Sequence, residues 1–200
     1  SKGEATDQIR IDVSQVKKDT YQVVLSLDDE WAKDAEYPIT IDPTISSASQ
    51  TINIYDTYVY QGSPTTNYYS STYMILSGTS SVSYFEGLLY FVIPSSVMNA
   101  QITYAYLSLS KGSTSTQGRT IGLYKNNSGF SSSSVTWNTR PAFSSEMSDY
   151  HIVGTSNEYI FNITKATREW QQTGNATTTG FTIKDKFYYG ATNYVRSKEY

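Results

Sequence analysis

The chain has 200 residues, with 15 Lys and Arg against 18 Asp and Glu, so its formal net charge is -3. Because nucleic-acid binders usually carry a marked basic excess, this balance argues against a nucleic-acid partner. The absence of Cys and the presence of one His exclude disulfides, thiolate metal sites and multi-histidine metal sites. No run of about 18 apolar residues occurs, so no membrane span is expected.

The N-terminal part is predicted to be a small β segment. Residues 8–13 alternate polar and apolar side chains, as in a half-buried strand, and residues 21–27 follow a short turn, which predicts a hairpin. Acidic residues at the start of 29–35 suit one helical turn. Residues 37–43 predict an edge strand that contains a proline near each end.

A change in charge predicts a domain boundary. Up to Ile45 there are five basic and ten acidic residues, whereas the rest of the chain has a small basic excess. Pro43 and the small polar residues after it are typical of a boundary. We therefore predict an acidic β segment at 1–45, either the tail of an upstream domain or a linker, and a β domain at 46–200. The alternative is that the acidic hairpin belongs to the same domain.

The second part is predicted to be almost entirely strands. Residues 84–93 are nearly continuously apolar, which favours a central strand buried on both faces. Residues 101–110 alternate, with tyrosines at 104 and 106 on one side and leucines at 107 and 109 on the other. Further strands are predicted at 50–60, 72–76, 119–125, 150–153, 158–163, 180–184 and 194–200. Many short strands separated by turns predict an all-β sandwich or jelly roll.

One segment has helical spacing instead. Ile163, Ala166 and Trp170 would share a face of a short helix, which Gly174 is placed to end. The fold class is therefore a β-sandwich or jelly roll with one short helix, preceded by a small segment that contains a β-hairpin.

No catalytic motif stands out in the sequence. His151 lies on a predicted strand, where a single histidine is more often structural than part of a catalytic triad. The acidic residues of the main domain include no pair in a motif that marks a hydrolase. We therefore expect a protein without enzymatic activity.

Aromatic residues favour binding instead. The chain has 19 Tyr, and tyrosine offers a flat ring together with a polar hydroxyl. The best clusters lie in or beside loops, at Asn67, Tyr68 and Tyr69 and at Tyr188 and Tyr189. The alternative is that these rings are ordinary strand residues buried in the core.

Several ordered blocks carry a family resemblance. They lie at 56–68 (DTYVYQGSPTTNY), 88–94 (LLYFVIP), 100–109 (AQITYAYLSL), 134–141 (SVTWNTRP), 161–184 and 199–200. Together they resemble a DNRLRE domain, a family that is similar to carbohydrate-binding modules of polysaccharide-degrading enzymes. Asp56, Asn67, Leu89 and Glu199 match the letters that name the family, and the two arginine positions fall near Glu86 and at Lys198.

The resemblance extends the set of candidate residues. Trp137 of the fourth block and Lys198 join the loop residues Asn67, Tyr68, Tyr69, Tyr188 and Tyr189 as candidate ligand-binding residues. If the family arginines hold an internal ion pair, Glu86 needs a new basic partner. Asp56 and Asn67 could ligate a structural calcium, the one cofactor considered, because loop oxygens suit Ca²⁺. Alternatively, Asp56 caps a turn and Asn67 adopts a special loop conformation.

The upstream residues 31–44 resemble the tail that precedes such domains in wall-associated RHS/YD-repeat proteins of Gram-positive bacteria. This implies a secreted, cell-wall-associated module within a larger polypeptide, with a glycan or cell-wall polymer as its partner. The alternative is a structural spacer or scaffold domain of a contact-dependent RHS-type toxin, without a ligand of its own.

Overall fold

A computed structural model describes residues 9–17, 20–28, 30, 33, 52–76, 83–112, 115–187 and 192–197. The chain divides into two compact units, Ser1–Ser49 and Gln50–Tyr200. The predicted edge strand at 37–43 lies outside the described residues. So do most of the predicted helical turn at 29–35, of which Glu30 and Lys33 are helical, and residues 188–191 and 198–200.

The first unit contains the predicted hairpin. Strand β1 (Ile9–Lys17) pairs antiparallel with β2 (Thr20–Leu27), and the register shifts between Gln15 and Lys17. Both strands extend further toward the turn than the alternation predicts.

The second unit is an antiparallel β-sandwich, as predicted. Its strands are β3 (Ile54–Tyr60), β4 (Tyr73–Leu76), β5 (Phe85–Phe91), β6 (Tyr106–Ser110), β7 (Thr120–Lys125), β8 (Asp149–Ile152), β9 (Glu158–Asn162), β10 (Phe181–Asp185) and β11 (Asn193–Arg196). The predicted helix is α2 (Thr164–Gln172). Two short helical turns were not predicted, α1 (Ser95–Met98) and a 3-10 turn at Trp137–Thr139.

The first layer is a five-stranded sheet in the order β3-β5-β10-β7-β8. Strand β5 lies between β3 and β10, as the apolar run at 84–93 predicted. The second layer consists of the pairs β11–β4 and β6–β9. An isolated bridge between Lys111 and Val195 joins these two pairs.

The main core lies between the layers. Alternating side chains such as Leu89 of β5, Ile183 of β10 and Phe161 of β9 are completely buried there. Helix α2 closes one end, where the Trp170 ring meets Phe91 and Phe181 edge-on at centroid distances of 5.7 and 5.1 Å. Burial of these large apolar side chains is the main stabilising term of the fold.

Two glycines occupy backbone positions that other residues rarely adopt. Gly174 follows the end of α2 with φ of 72°, the left-handed conformation typical of a helix terminus, as predicted. Gly180 precedes β10 with φ of 80°, and a Cβ there would lie 2.2 Å from the Leu89 carbonyl oxygen. Glycine therefore allows β10 to begin directly against β5.

The outer face of the first layer is covered by the chain itself over β3, β5 and β10, whereas Tyr150 and Ile152 on the edge strand β8 are exposed. Residues 127–148, the cover segment, run across it and bond to β7 through Ser144 N to Lys125 O and Ser148 N to Leu123 O. Val135 packs there with Val59 and Leu88 to form a second, smaller core. This sheet is therefore buried on both faces over β5.

Candidate functional site

The predicted loop residue Asn67 is held by its own backbone surroundings. Its amide nitrogen donates to the carbonyls of Ser132 and Val135 at 2.9 and 2.7 Å, and its side-chain oxygen accepts from Tyr69 N at 3.0 Å. These bonds tie the loop after β3 to the cover segment. They favour the structural role left open for Asn67 over the ligand-binding and calcium roles.

The neighbouring Tyr68 also faces the protein. The Tyr68 ring stacks on Tyr58 with centroids 4.3 Å apart and planes inclined by 18°, and it packs against the main core. Tyr69 is half-buried. The face that Tyr68 turns to Tyr58 is therefore not open to a sugar.

Trp137 is likewise engaged within the fold. It packs against the second core, and the Arg140 guanidinium carbon lies 3.7 Å from the centre of its ring. Arg140 also donates to the Trp137 carbonyl at 2.6 Å and to Glu86 Oε2 at 2.9 Å. The TWNTRP motif thus supplies the basic partner that Glu86 was expected to need.

A second cation lies close to this pair. Lys184, buried on β10, holds its ammonium 4.8 Å from the Tyr124 ring and 4.4 Å from the Phe143 ring. The pKa of Lys184 lies below its ordinary value, mainly because of burial. The Glu86 carboxylate partly offsets this decrease, and the Arg140 cation adds to it. Glu86 and Lys184, both buried on the first layer, form a charge cluster with Arg140 of the cover segment, whose side chain is 28% exposed.

Asp56 and Asn67 contact opposite faces of the first layer. Asp56 is buried on β3 opposite Leu89, a member of the main core. The Asn67 amide instead reaches Val135 of the second core, so the two residues do not converge as calcium ligands. Among the described residues, no group of three or more His, Asp or Glu side chains could hold a metal ion. Four of the residues predicted from the sequence lie outside the described residues: Tyr188, Tyr189, Lys198 and Glu199.

His151 and two acidic residues of the main domain have partners within the fold. His151 meets the Tyr159 and Phe161 rings edge-on at 5.4 and 6.3 Å. Asp185 receives two bonds of 2.7 Å from Arg119, and Glu169 pairs with Lys125. These contacts account for His151, Asp185 and Glu169 without a catalytic role.

An exposed surface lies on β6 and β9. Inward side chains such as Leu107 and Phe161 are buried, whereas the outward ones are exposed. The cross-strand pairs place Tyr106 opposite Asn162, Ser108 opposite Ile160, and Ser110 opposite Glu158. We call this surface the open face; it consists of Tyr104, Tyr106, Ser108, Ser110, Glu158, Ile160 and Asn162.

Two tyrosines dominate the open face. Tyr104 is 72% exposed and Tyr106 is 61% exposed, and their rings lie 6.4 Å apart with planes inclined by 16°. Nearly parallel rings two residues apart on one face form a platform. Since tyrosine has few rotatable bonds, such a platform loses little entropy when a ligand stacks on it.

The backbone that carries Tyr104 is fixed by α2. Arg168 donates to the carbonyls of Ile102 and Thr103 at 2.8 and 3.0 Å. Ala105 N donates to Thr164 Oγ1 at 2.9 Å, and Ile163 N donates to the Ala105 carbonyl at 2.8 Å. The platform is therefore preorganised although its rings face solvent.

A polar cleft adjoins the platform through Asn162. It has a volume of about 560 Å³ and lies between α2, the end of β9 and the end of the cover segment. Its lining residues are all polar: Ser148, Asp149, Asn162, Thr164, Lys165, Arg168, Glu169 and Gln172. Their donors and acceptors can bond hydroxyl groups, while the adjacent tyrosine rings can stack on apolar C–H faces.

This combination of ring faces and polar groups was missed from the sequence. The alternation at 101–110 does separate Tyr104 and Tyr106 from the two leucines. It does not tell which side faces solvent, because tyrosine is common on buried and exposed strand faces alike. Of the aromatic residues chosen from loop position, Tyr68 packs inward, Tyr69 is half-buried, and Tyr188 and Tyr189 lie outside the described residues.

Comparisons with known proteins found relatives that share part of the sequence. The tRNA nuclease WapA of Bacillus subtilis strain 168 is 28% identical over 172 residues, which cover 77% of this chain and 7% of that protein. The tRNA3(Ser)-specific nuclease WapA of Bacillus spizizenii is 30% identical over 139 residues, covering 61% of this chain and 6% of that protein. The chain thus spans a small fraction of the length of these relatives.

The family comparison covers most of the chain. The pattern of carbohydrate-binding module family 96 matches residues 47–200, which include the whole described sandwich. The match indicates a carbohydrate-binding module. The chain therefore belongs to carbohydrate-binding module family 96.

Proposed function

We propose that this protein is a non-catalytic, extracellular module that attaches a larger secreted bacterial protein to cell-wall carbohydrate. The observation that carries the proposal is the preorganised pair Tyr104 and Tyr106 beside a polar cleft. A sugar ring can stack on such rings while its hydroxyls bond to side chains such as Asn162 and Thr164. No cofactor is part of the proposal.

The relatives support the larger context of this proposal. Each matched WapA protein is many times longer than the shared segment. The nuclease activity in their names belongs to those whole proteins, and we propose no nucleic-acid ligand for this segment, whose net charge is -3. The resemblance to DNRLRE domains and to RHS/YD-repeat proteins favours a wall-associated location. Among the described residues, no helix is both long and apolar enough to cross a bilayer.

Sedimentation with purified Gram-positive cell walls tests the proposal. The wild-type chain should sediment with the walls, and the double variant Tyr104→Ala/Tyr106→Ala should bind at least about tenfold more weakly, a change of about 1.4 kcal/mol. Tyr150→Ala is the matched control. Tyr150 is 54% exposed and lies on β8 of the other layer.

Each result of this experiment is decisive. Tyr150→Ala should bind as the wild type does. A wild-type chain that does not sediment would refute the wall-binding function. Unchanged binding by Tyr104→Ala/Tyr106→Ala, or equal weakening by Tyr150→Ala, would show that the binding does not depend specifically on the open face. Thermal melting of each variant checks that the sandwich is intact.

The alternative function is a spacer without a ligand. One observation favours it: the predicted binding rings Tyr68 and Trp137 are engaged by Tyr58 and Arg140. If the module is only a spacer, the double tyrosine variant should support delivery of the larger protein as well as the wild type does. Deletion of the module should nevertheless abolish that delivery.

A further inference from the structure

A second cavity lies next to the polar cleft. It has a volume of about 360 Å³ and lies between α2, the end of β7 and the cover segment. The two cavities share four lining residues: Ser148, Asn162, Lys165 and Glu169. They are therefore neighbours along one side of α2, and every residue that lines either of them is among the described residues.

The second cavity differs from the polar cleft because part of its lining is apolar. Met147, Ile163 and Ala166 line it, whereas the lining residues of the polar cleft are all polar. Ile163 and Ala166 belong to the main core, and Met147 is half-buried. The amide of Asn127 and the hydroxyl of Ser144 line the same cavity. We call it the mixed pocket, because apolar atoms lie there beside groups that donate and accept hydrogen bonds.

The walls of the mixed pocket are fixed by bonds within the fold. Asn127 N donates to the Ala142 carbonyl at 2.8 Å, and Ser144 N donates to the Lys125 carbonyl at 2.9 Å. The Lys125 ammonium pairs with the Glu169 carboxylate, which links β7 to α2. The cover segment, β7 and α2 are thus held together around the pocket, so a ligand would find it already formed.

The position of Met147 depends on a glycine of β7. A Cβ at Gly122 would lie 2.9 Å from the Met147 sulfur, closer than Cβ atoms come to other atoms in proteins. The glycine therefore leaves room for the thioether, which is flexible and adapts to small apolar groups. A hydroxyl or carboxylate placed against it would lose water without gaining a hydrogen bond, which costs free energy. A methyl group would gain free energy from the same burial.

An N-acetyl group combines the two kinds of contact that the mixed pocket offers. Its methyl group is apolar, and its planar amide has one donor and one acceptor. The Asn127 side chain carries both a donor and an acceptor. The Ser144 hydroxyl accepts from Glu146 N at 3.1 Å, so its own proton can be donated to a carbonyl oxygen. A sugar that carries hydroxyl groups alone would leave the apolar part of the pocket in contact with water.

The mixed pocket is connected to the tyrosine platform through one residue. Asn162 lies opposite Tyr106 in the pair of β6 and β9, and it lines both the mixed pocket and the polar cleft. Its side-chain oxygen accepts from Thr164 N at 3.0 Å, which fixes it at the start of α2. A glycan that stacks on Tyr106 can therefore extend past Asn162 into the cavities along α2.

We propose, on the basis of the carbohydrate-binding function above, that the mixed pocket holds the N-acetyl group of an amino sugar. The methyl group packs on Met147 and Ala166, and the amide bonds to Asn127 and Ser144. Other sugars of the same glycan stack on the platform. The ligand class is therefore a polysaccharide that contains N-acetylated amino sugars, and the glycan strands of peptidoglycan fit this class.

Two oligomers with the same linkage test the ligand class. The hexamers of chitin and cellulose differ in the substituent at one carbon of each sugar, which is N-acetyl in chitin and hydroxyl in cellulose. Titration calorimetry with the full 200-residue chain should give a dissociation constant at least about tenfold lower for the chitin hexamer, or 1.4 kcal/mol. Equal affinities, or no binding of the chitin hexamer, would overturn the proposal. Tighter binding of a galacturonate hexamer would overturn it in favour of an acidic ligand.

Substitutions in the mixed pocket test its part in this preference. Met147→Gln keeps the length of the side chain and makes it polar, so it should reduce the preference for the chitin hexamer over the cellulose hexamer roughly tenfold, or by 1.4 kcal/mol. Asn127→Asp replaces the amide donor of an exposed residue by a carboxylate and should also reduce it. The matched controls are Met98→Gln and Asn99→Asp. Met98 is half-buried, Asn99 is exposed, and neither lines the pocket.

The controls should leave the preference unchanged, and a preference that survives both pocket substitutions would overturn the assignment of the pocket. Thermal melting of each variant checks that the sandwich is intact. If Met147→Gln melts early, Asn127→Asp decides the question, because Asn127 is exposed and its replacement has nearly the same shape.

These outcomes separate the two proposals. A chain that binds cell walls through Tyr104 and Tyr106 but does not distinguish the two hexamers keeps the proposed function and loses the N-acetyl pocket. A chain that does not bind cell walls loses the proposed function, and the comparison of the hexamers then tests the pocket by itself.

Discussion

The two outer faces of this sandwich both carry aromatic and charged side chains, but they differ in how far these side chains are exposed to solvent. On the first layer, Tyr124 and Glu86 are buried beneath the cover segment, whose residues Phe143 and Arg140 contact them. On the second layer, no described segment covers Tyr104 and Tyr106, and their rings face solvent. An aromatic residue in a strand is thus a core residue or a binding residue according to what the rest of the chain lays over it.

The comparison also explains where charge is tolerated. A buried carboxylate is costly unless a cation and hydrogen bonds compensate it. Glu86 has Arg140 at 2.9 Å and Lys184 nearby, so the covered face holds its charges in a fixed cluster. On the open face, Glu158 is exposed to water and needs no such compensation.

The largest expected effect comes from breaking the covered face. Arg140→Ala should lower the free energy of unfolding by about 3 kcal/mol, because it removes the cation that faces a buried carboxylate. Lys125→Ala is the control, since the pair of Lys125 and Glu169 is about one-third exposed. It should cost less than about 1 kcal/mol. Urea denaturation measures both, and equal effects would show that the cover segment does not bury the Glu86 pair.

The free energy of unfolding should also depend on pH through the inward tyrosine Tyr58. The size of this effect should be similar to that of Arg140→Ala. Burial raises its pKa to about 12 from an ordinary value of 10.0, with smaller contributions from Tyr68 and Tyr194. The stabilising contribution is fully present below pH 10 and is lost as pH rises toward 12, at about 1.4 kcal/mol per pH unit. Denaturation across this window should show a shallower loss for Tyr58→Phe. Tyr106→Phe, which changes an exposed ring, should leave the slope unchanged, and an equal change in both would refute the contrast.

The smallest effect is expected on the stability of the open face. Tyr106→Ala should change the free energy of unfolding by no more than about 0.5 kcal/mol, because its ring is 61% exposed. The same variant should weaken glycan binding. A large loss of stability would mean that the platform is part of the core and would remove the sharpest distinction between the two faces.

Local patterns were sufficient for most elements of the sandwich. The apolar run at 84–93 identified the central strand β5, and the helical spacing of Ile163, Ala166 and Trp170 identified α2. Gly174 marked the end of that helix because a positive φ there favours glycine. The strand, the helix and the helix end each depend on residues that are close together in the sequence, so local sequence patterns predict them.

The site was harder to predict because it depends on distant contacts. The loop position of Asn67 and Tyr68 suggested binding, yet Asn67 bonds to carbonyls 65 and 68 residues away and Tyr68 stacks on Tyr58. The backbone just before Tyr104 is held by Arg168, which donates to the Ile102 and Thr103 carbonyls and is distant along the chain as well. No local pattern encodes these pairings.

The sequence by itself determined the all-β class, the strand faces and the place of the helix, because side-chain alternation and turn residues act over a few positions. It also carried the family resemblance, through motifs spread along the chain. Only the tertiary structure decided that Arg140 neutralises Glu86, that residues 127–148 cover one outer face, and that Tyr104 and Tyr106 remain exposed. The physical reason is that solvent exposure belongs to the assembled layers, and no single strand specifies what will pack over it.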